Sequence, residues 1–168
     1  MSYHEKKTIA SMISGILVLI AYAVYAVGKY RAGAAAPDDL TFWATAMLIF
    51  IGIGVAATIV IQILFHIVFS ISYAVRESVE TGEYDGKQVE RTIKAQMVED
   101  EMDKLIELKS MRVSFAIAGT GFLAGLVSLV IGWSPALMLN ILFITFSLGS
   151  LVEGFAQLHY YRSGIRHG

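Results

Sequence analysis

The chain has 168 residues, with 13 Lys and Arg against 14 Asp and Glu, no cysteine, 56% apolar residues and only 16% charged ones. A soluble domain carries roughly 25% charged residues, so an ordinary water-soluble domain is excluded. A net charge of −1 with no basic run excludes the electrostatic footprint of nucleic-acid binding. The missing thiols exclude a disulfide scaffold and any thiolate-held zinc or iron–sulfur site. What remains is an integral membrane protein.

The charged side chains mark out the elements. Seventeen of the 27 lie between Arg76 and Arg112, whereas residues 8–28, 40–75 and 113–152 carry none. A hydrocarbon core of ~30 Å takes about 20 helical residues, so the first run predicts a span over about 8–30. Lys6-Lys7, the apolar run and Ala34-Ala35-Ala36 together look like a signal peptide. The run is longer than a typical apolar signal core, and Pro37 would follow the cut. The expectation is therefore a retained first transmembrane helix.

Asp38-Asp39 after Pro37 suit the positive end of a second helix. The run 40–75 would be about 54 Å long as a helix. It has no proline and no polar break, with only Gly52 and Gly54 as isolated glycines, and it reads as one long helix. The crossing takes 41–66, with Trp43 in an outer aromatic belt. Residues 67–75 then project beyond the membrane and need cover from 76–112 or from another subunit.

Residues 80–86, with Gly82 and Asp85-Gly86, predict a turn. From Lys87 to Arg112 there is no Gly or Pro, and Glu90/Lys94 and Asp100/Lys104 are favourable pairs one turn apart. Nothing separates this segment from the third span, 113–132, so one continuous helix is expected over 87–132. Ser134-Pro135 is a good start for the fourth, 135–160, with Tyr160, Tyr161 and Arg162 at its inner end.

Four crossings put eleven Lys and Arg on the side of the two termini and the 76–112 segment, against Lys29 and Arg31 on the other. The positive-inside rule then places both termini in the cytoplasm. The fold class expected is all-α: a single transmembrane domain over 1–168, an integral membrane four-helix bundle with helices two and three extended into the cytoplasm through 67–112. The two halves echo each other faintly, each opening Glu-x-Lys (Glu5, Lys7; Glu107, Lys109) and ending in an inward span with Gln and His, as a parallel repeat would.

Glu153 is the ionisable residue inside a span, about 27 Å along helix four from Pro135. Gln157 and His159 on the same helix, and Gln62 and His66 on helix two, fall at similar depth. Glu153 and Gln157 share a face, as do Gln62 and His66. These five form a candidate polar intramembrane cluster: either a proton or cation site, or an interhelical hydrogen-bond clamp. No metal or cofactor is expected, and no catalytic motif is readable. Asn140 is expected to bond a neighbouring helix. Gly121-x-x-x-Gly125 and Gly52-x-x-x-Ala56 have the spacing of close helix contact, within one chain or between two. The acidic run 98–103 reads as a solvated helix face, with divalent-cation binding the alternative.

The stretch Asp100-Glu101-Met102-Asp103-Lys104-Leu105-Ile106-Glu107-Leu108-Lys109-Ser110-Met111-Arg112 resembles a segment found before a span in small uncharacterised bacterial four-helix membrane proteins. It departs from that pattern at Met102 and Ser110. The resemblance covers residues 100–132 and implies a bacterial inner membrane, with no activity to carry over. The function expected is a non-enzymatic scaffold, sensor or accessory subunit acting through its cytoplasmic extension. The alternative is a small transporter or channel using Glu153, His66 and Gln62. The partners expected are the lipid bilayer, a second copy in a homodimer, and a protein at the cytoplasmic helix.

Overall fold

The computed structural model describes residues 3–33, 36, 39–81 and 101–164. Among them the chain is an all-α bundle of four helices, α1 (Tyr3–Arg31), α2 (Leu40–Thr81), α3 (Glu101–Val130) and α4 (Pro135–Ser163), with no strand. All four are long and apolar enough to cross a membrane. Their outer surface fits that environment. Leu17, Ile20 and Val24 on α1, Val60, Leu64 and Val68 on α2, and Leu123, Val127 and Val130 on α3 all face outward, exposed. So large an exposed apolar surface is what a membrane-spanning bundle presents.

The helix ends follow from local chemistry. The Asp39 carboxylate accepts from the Phe42 N–H at 2.9 Å and so caps α2. α2 then runs unbroken for 42 residues, about 63 Å, twice the thickness of a hydrocarbon core. It stays helical through Thr81, past Glu80 where the sequence suggested a turn. Gly82 is the first glycine after that helix, and with residues 83–100 it lies outside the described residues. The described part of the charged segment, from Glu101, continues into α3 without a break. α3 ends at Val130 in a Schellman arrangement: Trp133 N–H donates to Ser128 C=O at 2.9 Å and Gly132 N–H to Leu129 C=O at 3.0 Å. Gly132 sits at φ +84°, a conformation that a side chain would strain. Ser134 caps α4, accepting from Leu137 N–H at 3.3 Å, with Pro135 in the first turn.

α4 is the central helix. It packs most extensively on α3, then on α1, and α2 rests on α1 and on α4. The α3–α4 contact is close because its surfaces are small. Ser110, Ala118, Gly121, Gly125 and Ser128 are buried on α3, and Gly149 on α4. A Cβ at Gly121 would collide with the Thr145 side chain, and one at Gly149 would press on the Ser114 backbone at 3.1 Å. The Gly121/Gly125 spacing therefore serves packing inside one chain. Gly52 meets nothing within 4 Å, so its face of α2 is open.

The apolar core gathers at the end of the bundle where the short connections lie. Tyr22, Trp43, Met47 and Ala136 are buried there, with Phe42, Phe50, Leu139 and Phe143 packed around them. Trp43 is only 6% exposed and its indole N–H donates to Ala36 C=O at 3.1 Å. It plugs the end of the bundle where the short connections lie, the end at which the sequence reading set an outer aromatic belt. Farther along α2, Ile67, Val68, Ile71 and Val75 stand exposed.

Candidate functional site

The bundle is tight at the connection end and open toward the other. Bulky rings fill the first: Tyr22 meets Phe143 with centroids 4.3 Å apart and Phe50 edge-on at 5.4 Å. Toward the chain termini, α1 and α4 stay together through small contacts. A Cβ on Gly15 would touch Leu151 at 3.3 Å, and one on Gly154 would meet Met12 at 2.5 Å. α2 contributes to the shared wall only as far as Ile59. The result is a groove of about 960 Å³ between α1, α2 and α4.

The groove is two-faced. Its polar wall is made by Thr8, Ser11 and Ser14 on α1 and by Ser147, Ser150, Glu153 and Gln157 on α4. Its apolar wall comes from Phe50, Val55 and Ile59 on α2 and from Leu142, Phe143 and Phe146 on α4. Glu153 lies between the Gly15–Leu151 and Met12–Gly154 contacts, partly buried. Among the described residues its carboxylate makes no ion pair and no side-chain hydrogen bond. A carboxylate lining a largely apolar groove without a partner is costly unless a counter-ion joins it.

The sequence-predicted cluster is distributed over three places. Glu153 and Gln157 share the groove. Gln62 and His66 line a separate shallow depression on α2 with Ile63 and Ile67. His159 is exposed and stands edge-on to Tyr160, with ring centroids 6.0 Å apart. The interhelical hydrogen bond that does form from this set links α1 to α4: Thr8 Oγ1 lies 3.2 Å from Gln157 Oε1. The same hydroxyl lies 3.0 Å from His4 C=O, its i−4 carbonyl.

One end of the groove is lined by a polar knot. The Tyr161 hydroxyl donates to Asp103 Oδ1 at 2.9 Å, and His4 Nε2 stands 3.8 Å from Asp103 Oδ2. Three helix ends meet there: the first turns of α1 and α3 and the last turn of α4. Lys7 and Glu107 line the same end. Of the acidic run 98–103, residues 98–100 lie outside the described residues, Glu101 is exposed, and Asp103 turns inward to this knot. Among the described residues no three His, Asp or Glu side chains converge as metal ligands would.

Asn140 bonds a neighbouring helix. It accepts from the Tyr22 hydroxyl at 2.6 Å and donates to Ala136 C=O at 2.9 Å. Its amide oxygen and its amide nitrogen each have a partner inside the bundle.

The hydroxyl residues of the groove were not singled out in the sequence, although the signal exists. Thr8, Ser11 and Ser14 recur every third residue. Ser147, Ser150, Glu153 and Gln157 recur every third or fourth, the period that places side chains on one helix face. Comparison of the chain with protein-family models, with curated proteins and with solved structures finds no match.

Proposed function

We propose that this chain is a non-enzymatic, multi-pass membrane protein, acting as a scaffold, sensor or accessory subunit through the helical segments that extend beyond its spans. The observation that carries this reading is the exposed stripe Met102, Leu105 and Leu108 at the start of α3. These apolar side chains sit among Glu101, Lys104, Glu107, Lys109 and Arg112. So many charges keep this part of α3 out of the hydrocarbon core, so lipid tails cannot cover the stripe. A protein surface can, either that of a second copy or that of another chain. The exposed Ile71 and Val75 on α2 supply the same kind of surface. The positive-inside balance supports a cytoplasmic side for these extensions and both termini, and the membrane proposed is a bacterial inner membrane.

Native mass spectrometry of the protein, extracted gently from its own membrane, tests the reading. A homodimer or a complex with another protein is expected. Met102→Glu or Leu105→Glu should dissolve that assembly while the spans stay folded. A monomer with no companion, or an assembly indifferent to both substitutions, would overturn it.

A second reading, a small transporter or channel, is favoured by Glu153, which lines the groove without a partner among the described residues. Gln62 and His66 sit apart from that groove, so such a pathway would run along α1 and α4. Glu153→Gln should then abolish a cation- or pH-dependent flux while leaving assembly intact. Under the first reading it changes stability alone.

A further inference from the structure

We infer that the groove between α1, α2 and α4 is a binding site for an amphipathic organic cation, with Glu153 as its counter-ion. Size, shape and charge each point to this ligand class, and the inference goes beyond the scaffold or accessory role. The groove's volume, about 960 Å³, lies at the upper end of the ~300–1,000 Å³ typical of small-molecule sites. Its deep end is aromatic and aliphatic, with Phe50, Phe143 and Leu139. An apolar body placed there gains burial, and the ring faces attract positive charge.

The hydroxyls of Ser11, Ser14 and Ser150 lie between that apolar end and the charged end. They give a polar head a path along the α1–α4 wall. At the charged end, Glu153, Asp103 and Glu107 face Lys7 and His4. Asp103 is engaged by Tyr161 and His4. Glu153 lies about two helical turns farther along α4 from that knot, and it has no partner among the described residues. A cation bound there replaces a costly unpaired charge with an ion pair in a low-dielectric setting. An anion of the same shape would meet three carboxylates against one lysine. An uncharged lipid tail would cover the phenyl rings but leave the carboxylate exposed.

The test is equilibrium binding of tetraphenylphosphonium to the full-length protein in detergent micelles. Tetraphenylborate, nearly identical in shape and opposite in charge, is the control. Saturable tetraphenylphosphonium binding is expected, with affinity falling about tenfold or more in Glu153→Gln, a loss of roughly 1.4 kcal/mol or more. Ser150→Leu, which fills the groove without touching the carboxylate, should weaken binding as well. Lys7→Gln, which removes the competing positive charge, should tighten it. Gel filtration and thermal unfolding show that each variant is folded. Should Glu153→Gln fail to fold, the opposite effects of Ser150→Leu and Lys7→Gln decide the matter. Equal affinity of wild type and a folded Glu153→Gln would overturn the inference. So would tetraphenylborate binding as tightly as the phosphonium, or no saturable binding at all. None of these readouts depends on a partner protein, so the scaffold reading stands or falls separately.

Discussion

The Tyr22 hydroxyl donates to Asn140 Oδ1 at 2.6 Å, a bond between α1 and α4 in the most buried part of the bundle. Tyr22 is 1% exposed, so its hydroxyl is shielded from solvent. A bond of this kind inside a membrane protein contributes on the order of 1 kcal/mol. Tyr22→Phe should therefore lower stability by about that amount while leaving the ring packing with Phe50 and Phe143 in place. Asn140→Ala should cost somewhat more, because it also empties volume. The double variant should cost less than the two singles added, which a double-mutant cycle on unfolding in mixed micelles would measure.

The two small-residue motifs should behave differently. Gly121→Ala pushes a methyl group into Thr145 and should destabilise by about 1–3 kcal/mol. Thr145→Ala in the same chain should restore part of that loss. Gly52→Ala meets nothing within 4 Å. It should leave stability unchanged or raise it by up to about 1 kcal/mol, the helix-propensity difference. Thermal unfolding of the two single variants side by side makes the comparison.

Much of the fold was legible in the sequence, and the reasons are physical. The uncharged runs are long enough to cross a bilayer, Ser134-Pro135 and Asp39 announce helix starts, and the absence of a breaker in 40–75 correctly implied one long helix. The lateral arrangement was not legible. Depth along a span can be counted from its end, but which helix a face meets cannot. Gln62 and Glu153 were matched by depth, whereas α2 lines the groove only as far as Ile59. Likewise, Trp43 was read from its position near a span end, where tryptophan commonly faces headgroups. Its burial follows from the ring cluster of Tyr22, Phe42 and Phe50, which comes together only in three dimensions.

The cap of α4 offers a local check. Ser134→Ala removes the acceptor for Leu137 N–H and should cost about 0.5–2 kcal/mol. Ser134→Asp should retain most of the stability, since an aspartate accepts the same bond and suits the helix dipole. Chemical unfolding monitored by circular dichroism would separate the two variants.

The polar knot at the termini ties three helix ends through Asp103. Tyr161→Phe removes its 2.9 Å hydrogen bond and should loosen those ends without disturbing the core around Tyr22. Hydrogen–deuterium exchange should then rise several-fold in the first turns of α1 and α3, and remain unchanged across residues 136–143. A uniform rise over the whole chain would assign Tyr161 to global stability instead.

The central claim is a four-span protein with both termini, and the helical extensions beside them, on the cytoplasmic side. The chain has no cysteine, so single cysteines report position without background. Lys6→Cys, Ala32→Cys, Ile131→Cys and Ser163→Cys, each at an exposed position, would be labelled with a membrane-impermeant maleimide in intact spheroplasts and again after permeabilisation. The account predicts immediate labelling at 32 and 131, and labelling at 6 and 163 only after permeabilisation. Labelling of 6 and 163 from opposite sides, or of either connection only from within, would contradict it.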